Sequence, residues 1–187
     1  MKEPIIPQLA EREFLSWEAA QDAKFELHRG FVMAFAGGTA DHNTIAFNVH
    51  SALNRLFPAP CRTFGSDMKV RVASDTFYYP DVSVICVDVP GDATLIDQPQ
   101  IVAEVISRST RSYDLVEKRA AYRGMASLNA YVIVHTEMRR IEVDQRARDG
   151  SWRTDTYDDD EAFVDGRSIA LGAVYARSSL ESAAETE

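Results

Sequence analysis

Apolar positions follow two periods along this chain, one helical and one alternating, and the changes between them mark out its elements. From Thr39 to Phe57, Ile45, Val49, Leu53 and Leu56 share one helical face and Pro58 closes the run, which predicts a helix. Residues 7–21 space Leu9, Phe14, Trp17 and Ala20 like a shorter amphipathic helix. Helix formers fill residues 113–127, with Gly124 near the expected end. Between these helices, residues 24–38 read as a hairpin turning near Arg29 and Gly30, and residues 61–73 as two short strands. Residues 82–89 and 99–107 are apolar enough for buried strands. Residues 129–147 alternate as strand, turn and strand, and residues 151–163 add a further strand and turn.

Hairpin, helix, strands, helix and strands in that order predict an α+β or mixed α/β fold, with a mixed central sheet flanked by helices. No repeat, low-complexity block or proline-rich linker divides the 187 residues, so one domain is expected.

Composition adds three constraints. The two cysteines, Cys61 and Cys86, lack metal-ligand spacing, and a chain of this length needs no disulfide, which fits a reducing cytosol and argues against zinc. The opening MKEPIIPQLAEREF turns acidic within a few positions and no apolar run reaches membrane-spanning length, so a soluble, cytoplasmic protein without a membrane partner is expected. The net charge of −9 disfavours a general nucleic-acid coat. Only residues 101–150 are basic, with 9 Lys and Arg against 7 Asp and Glu, while the acidic C-terminal stretch reads as a solvated surface ending in a frayed terminus.

The candidate chemistry lies around YYPDVSVIC and IVAEVIS. Pro80 belongs at a strand entry, so Asp81 starts the buried strand, although a turn residue beside a proline is the ordinary alternative. Glu104 sits among apolar neighbours, where an unpaired carboxylate is costly and a cation must offset it. If the two strands are neighbours, Asp81 and Glu104 meet at a strand end and either share a proton or bind a metal. Asp114, Lys118 and Tyr122 recur every four residues on one helical face, which brings Lys118 toward the carboxylates. A surface pair with Asp114 is the plainer role for Lys118, and core packing the plainer role for Tyr122.

YYPDVSVIC, AEVISRST, YDLVEK, AYRGM and AYVIVH, preceded by FELHRG and HNTIAFNVHSAL, resemble the Uma2-like (DUF820) branch of the PD-(D/E)xK nuclease superfamily over roughly residues 10 to 175. The resemblance implies a restriction-endonuclease-like core, with Asp81 and Glu104 as metal ligands and the carbonyl of Ile106 as a third. Where the superfamily has lysine two residues after the Glu, this chain has Ile106, and Lys118 is the implied substitute. Glu26, on the hairpin, would be a further ligand or would orient water. The ion would be Mg²⁺ or Mn²⁺, which prefer oxygen donors.

A metal-dependent endonuclease acting on nucleic acid, DNA above all, follows from that resemblance. Ser107, Arg108, Thr110 and Arg111 would contact flanking phosphates, and His42, at the start of the long helix, is a weaker candidate for the same task. One such site cuts one strand, so a homodimer is expected. The rival reading is a non-catalytic, nucleic-acid-associated binding or assembly module that keeps the fold. A glycosidase using Asp81 and Glu104 leaves Lys118 without a task.

Overall fold

The computed structural model describes residues 8–34, 37–107 and 114–181. In chain order the elements are α1 (Glu11–Glu18), β1 (Phe25–His28), β2 (Phe31–Ala34), α2 (Ala40–Leu56), β3 (Arg62–Gly65), β4 (Lys69–Ala73), β5 (Thr76–Tyr78), β6 (Val82–Ile85), β7 (Leu95–Ile96) and β8 (Ile101–Ile106). A π-turn (Asp114–Lys118) leads into α3 (Arg119–Arg123). It is followed by β9 (Ala130–His135), β10 (Ile141–Arg146), β11 (Trp152–Tyr157), β12 (Glu161–Val164), β13 (Arg167–Ala170) and α4 (Leu171–Tyr175).

The fold is mixed α+β, as the element order predicts. The strands divide, however, between two main sheets. Among the described residues one sheet has the order β2-β1-β5-β4-β7 and the other β11-β10-β9-β8-β6-β3, with β12–β13 as a separate hairpin. Pairing is antiparallel except at β8–β9 and β4–β7. The parallel β8–β9 pair requires a crossover, and the π-turn and α3 belong to it.

The six-stranded sheet is covered on both faces, which is why β8 and β9 are buried throughout. Ile101, Ala103 and Val105 of β8 join one core with Ile45, Val49 and Leu53 of α2 and Val174 of α4. Val102 and Ile106 point the other way, into a core with Tyr122, Tyr131, Ile133 and the five-stranded sheet's Val70 and Tyr78. A third cluster, Phe14, Leu27 and Phe77, fixes α1 on that smaller sheet.

Local chemistry sets the boundaries. Thr39 caps α2 by accepting the His42 N–H at 3.2 Å. The buried face of α2 repeats at helical spacing through Ile45, Val49, Ala52 and Leu53. Leu53 is fully buried, and Leu53→Ala is expected to cost about 2–5 kcal/mol. The hairpin turns at Arg29 and Gly30, both with positive φ (49° and 85°), the backbone a two-residue hairpin turn demands.

The cysteine expectation is overturned: Cys61 and Cys86 form a disulfide, with Cα atoms 3.9 Å apart. β3 and β6 pair antiparallel with Arg62 opposite Ile85, so the next residue on each strand, Cys61 and Cys86, stand face to face. Disulfides belong chiefly to oxidising compartments, so the cysteines no longer support a reducing cytosol. Among the described residues no helix is long and apolar enough to cross a membrane.

Candidate active site

The site forms where the two main sheets and the crossover segment meet. β6 and β8 pair with Val82 opposite Ala103, and one further step in that register sets Asp81 opposite Glu104. Asp81 sits just outside the strand, after Pro80. Its Oδ2 accepts the Val105 N–H at 2.8 Å and lies 3.3 Å from His42 Nε2. The end of β8, Asp81 and the first turn of α2 are joined by these contacts.

Lys118 closes the π-turn. Its ammonium donates to Glu26 Oε1 on β1 at 2.9 Å and to Glu104 Oε1 on β8 at 3.3 Å. All three residues are only 5 % exposed, so their charges face one another rather than water. The Lys118 ammonium also stands 5.2 Å from the centre of the Tyr78 ring. Tyr122, four residues along the segment, donates its hydroxyl to Glu104 Oε1 at 3.2 Å. Burial, reinforced by Glu104 and Glu26, holds the Tyr122 phenol protonated well above its ordinary range.

Glu26 Oε1 also accepts the Tyr79 N–H at 2.9 Å. Through Tyr79 the site touches a second buried group, since the Tyr79 hydroxyl donates to Glu18 at 2.8 Å and Glu18 pairs with Lys69. Sequence reasoning missed Glu18 and Lys69. A charged helix residue and a charged strand residue look solvated until a third layer covers them. The π-turn also left no mark, because its residue types suit an α-helix equally well.

The structure therefore brings Glu26, Glu104, Lys118 and Tyr122 into direct contact, and places Asp81 and His42 at the same strand end. It does not bring the Ile106 carbonyl there. That oxygen accepts both the N–H and the hydroxyl of Thr136, each at 3.1 Å, on the edge of β8 that faces β9. The N–H and C=O of one strand residue point to the same edge, so the carbonyl aimed toward Asp81 belongs to Val105, whose N–H already meets that carboxylate. Ser107 follows β8 directly and is half-buried. Arg108, Thr110 and Arg111 lie outside the described residues.

Among the described residues, no three His, Cys, Asp or Glu side chains are grouped so that they could hold a metal ion. Glu26 and Glu104 are instead engaged by Lys118. The donor chemistry at the strand end, carboxylates and a main-chain carbonyl, still suits a hard divalent cation rather than a softer one.

A family model described as "Uma2: Putative restriction endonuclease" matches residues 12–176. The chain belongs to the Uma2 family. Two relatives come from Synechocystis sp. (strain ATCC 27184 / PCC 6803 / Kazusa). "Uncharacterized protein slr1290" is 31% identical over 91% of this chain and 93% of its own. "Uncharacterized protein sll1609" is 31% identical over 77% and 84%. The fold is shared with the crystal structure of a putative nuclease belonging to DUF820 from Anabaena variabilis ATCC 29413, with a TM-score of 0.72, 13% identity and coverage of 90% of this chain and 98% of that one. Uma2 membership supports a nuclease-type function.

Proposed function

We propose that this member of the Uma2 family is a divalent-metal-dependent endonuclease that hydrolyses phosphodiester bonds in nucleic acid, with DNA as the substrate. One observation carries the reading: Lys118, from the crossover, reaches Glu104, and the β6–β8 register sets Asp81, just before β6, opposite Glu104. An ammonium on one carboxylate, with a second carboxylate opposite it in the register, is equipment suited to phosphoryl transfer to water.

Asp81 and Glu104, with the Val105 carbonyl, would hold Mg²⁺ or Mn²⁺. The ion would supply a polarised phosphate and a more acidic water. The chain's own residues do the rest. Val105 N–H and His42 orient the Asp81 carboxylate. Glu26 and Tyr78 direct the Lys118 ammonium, which neutralises charge building on the phosphate oxygens. Tyr122 keeps its proton and steadies Glu104 by donating to it. Ser107, Arg108, Thr110 and Arg111 would hold flanking phosphates, and two protomers would serve the two strands of a duplex.

Labelled single-stranded, duplex and branched substrates, each incubated with Mg²⁺ or Mn²⁺, test the proposal against a Glu104→Gln control. Metal-dependent cutting by the wild type and none by the variant is expected. Equal cutting by both proteins defeats it.

The engagement of Glu104 and Glu26 by Lys118 favours a second reading. In it the trio is a structural ion cluster inside a binding or assembly module. That reading expects tight nucleic-acid association without cleavage under any divalent ion.

A further inference from the structure

Lys118 is the last residue of a π-turn, and Arg119 is the first of an α-helix of only five residues. Neither element is long enough to fix its own orientation, because isolated helices of this length are unstable in water. Whatever sets the direction of Lys118 must therefore come from tertiary contacts, and Arg119 supplies a two-bond, charged one. Its Nε and NH2 donate to the two oxygens of Asp144 on β10, at 2.7 and 2.6 Å. The Asp144 side chain is wholly buried, and Thr154 of β11 donates to it at 2.6 Å. Glu142 lies 3.4 Å from Arg119 NH1, and Arg123 lies 3.9 Å from Asp144. A planar guanidinium held at two of its nitrogens by a carboxylate cannot rotate without losing both bonds.

We infer that the Arg119–Asp144 pair is a positioning device that holds the π-turn in register, so that Lys118 faces Glu26 and Glu104. A π-turn carries one residue more than the α-helical turn it replaces. If its anchor is lost and it relaxes to α-helix, the register changes by one residue, and the side chain at position 118 swings by about 100° around the axis. Lys118 would then leave both carboxylates. Arg119 and Asp144 touch no substrate on this account and act only through Lys118. The catalytic consequence rests on the endonuclease reading, while the placement of Lys118 does not.

The chain's lysines supply the test. They are Lys2, Lys24, Lys69 and Lys118, and both Lys69 and Lys118 are buried and paired with carboxylates, Lys69 in the neighbouring cluster with Glu18. Acylation by an amine-reactive ester, followed residue by residue by mass spectrometry, is compared among wild type, Arg119→Lys, Arg119→Met and the double variant Arg119→Met/Asp144→Asn. The double variant leaves no uncompensated buried charge, unlike Arg119→Met alone, which strands the buried Asp144 carboxylate, so it keeps the fold.

In the double variant, Lys118 is expected to label at least about ten-fold faster while Lys69 keeps its wild-type rate, because the loss of protection is local. Arg119→Lys, which keeps one charged bond, falls between. Lys118 protected as in wild type, or Lys118 and Lys69 rising together, overturns the inference. If the protein cuts nucleic acid, the double variant loses kcat with little change in KM. A wild type that cuts nothing defeats the endonuclease reading and leaves the labelling result to stand by itself.

Discussion

Lys118 Nζ lies 2.9 Å from Glu26 Oε1, although 92 residues separate the two in the chain. The pair joins the crossover that follows β8 to the edge hairpin of the other sheet, and Glu104 at 3.3 Å completes it. Three buried ions make this contact costly to break from one side.

Lys118→Met removes the cation and leaves Glu26 and Glu104 facing each other in the interior. A loss of about 3–5 kcal/mol is expected, the range for stripping one partner from a buried pair. Urea unfolding near neutral pH measures it, and a change below about 1 kcal/mol would show that water already reaches the cluster.

Asp81→Ala tests the cation site without an activity assay. At a divalent-ion concentration of about 100 times Kd, the wild type should gain about 2.7 kcal/mol, seen as a rise in Tm. The variant should gain nothing. A rise of the same size in both proteins would move the ion elsewhere.

Alkaline pH should unfold the protein through its buried phenols. Burial pushes Tyr175 up to about 12, and Tyr79 and Tyr122 also rise, chiefly because burial disfavours the phenolate. Each folded value exceeds the ordinary 10.0, so the stabilisation is complete below that pH. It is lost as pH climbs from there through the folded values, because the unfolded chain releases its protons first. Each group steepens the decline by at most about 1.4 kcal/mol per pH unit. Denaturant midpoints at successive alkaline pH values should fall less steeply in Tyr175→Phe.

Reduction of Cys61–Cys86, which closes a loop of 25 residues, should cost about 3–4 kcal/mol on the loop-entropy account. The double variant Cys61→Ser/Cys86→Ser should behave like the reduced wild type, and a reductant should not shift it further. Unfolding with and without dithiothreitol gives the comparison.

Much of this fold is legible in the sequence because its signals are local. The helical spacing of Ile45, Val49 and Leu53 and the Arg29–Gly30 turn each state their structure within a few residues. Glu104 is legible for a related reason, since an acid in so apolar a strand announces a hidden cation. Other features depend on register between distant segments. Nothing near Cys61 says that Cys86 will stand opposite it, and nothing near Asp144 says that Arg119 will reach it. Ile106 fails for a finer reason. Choosing between its carbonyl and that of Val105 requires knowing which edge of β8 faces β6 and which faces β9.

The meeting of Glu26, Glu104 and Lys118 has a mechanical consequence. Each hangs from a different layer: one from the hairpin sheet, one from the large sheet, one from the crossover. The trio therefore works as an alignment gauge. Any breathing that slides one layer past another by a few ångströms dismantles it long before the cores melt, so loss of the cluster should be the earliest sign that the domain is beginning to come apart.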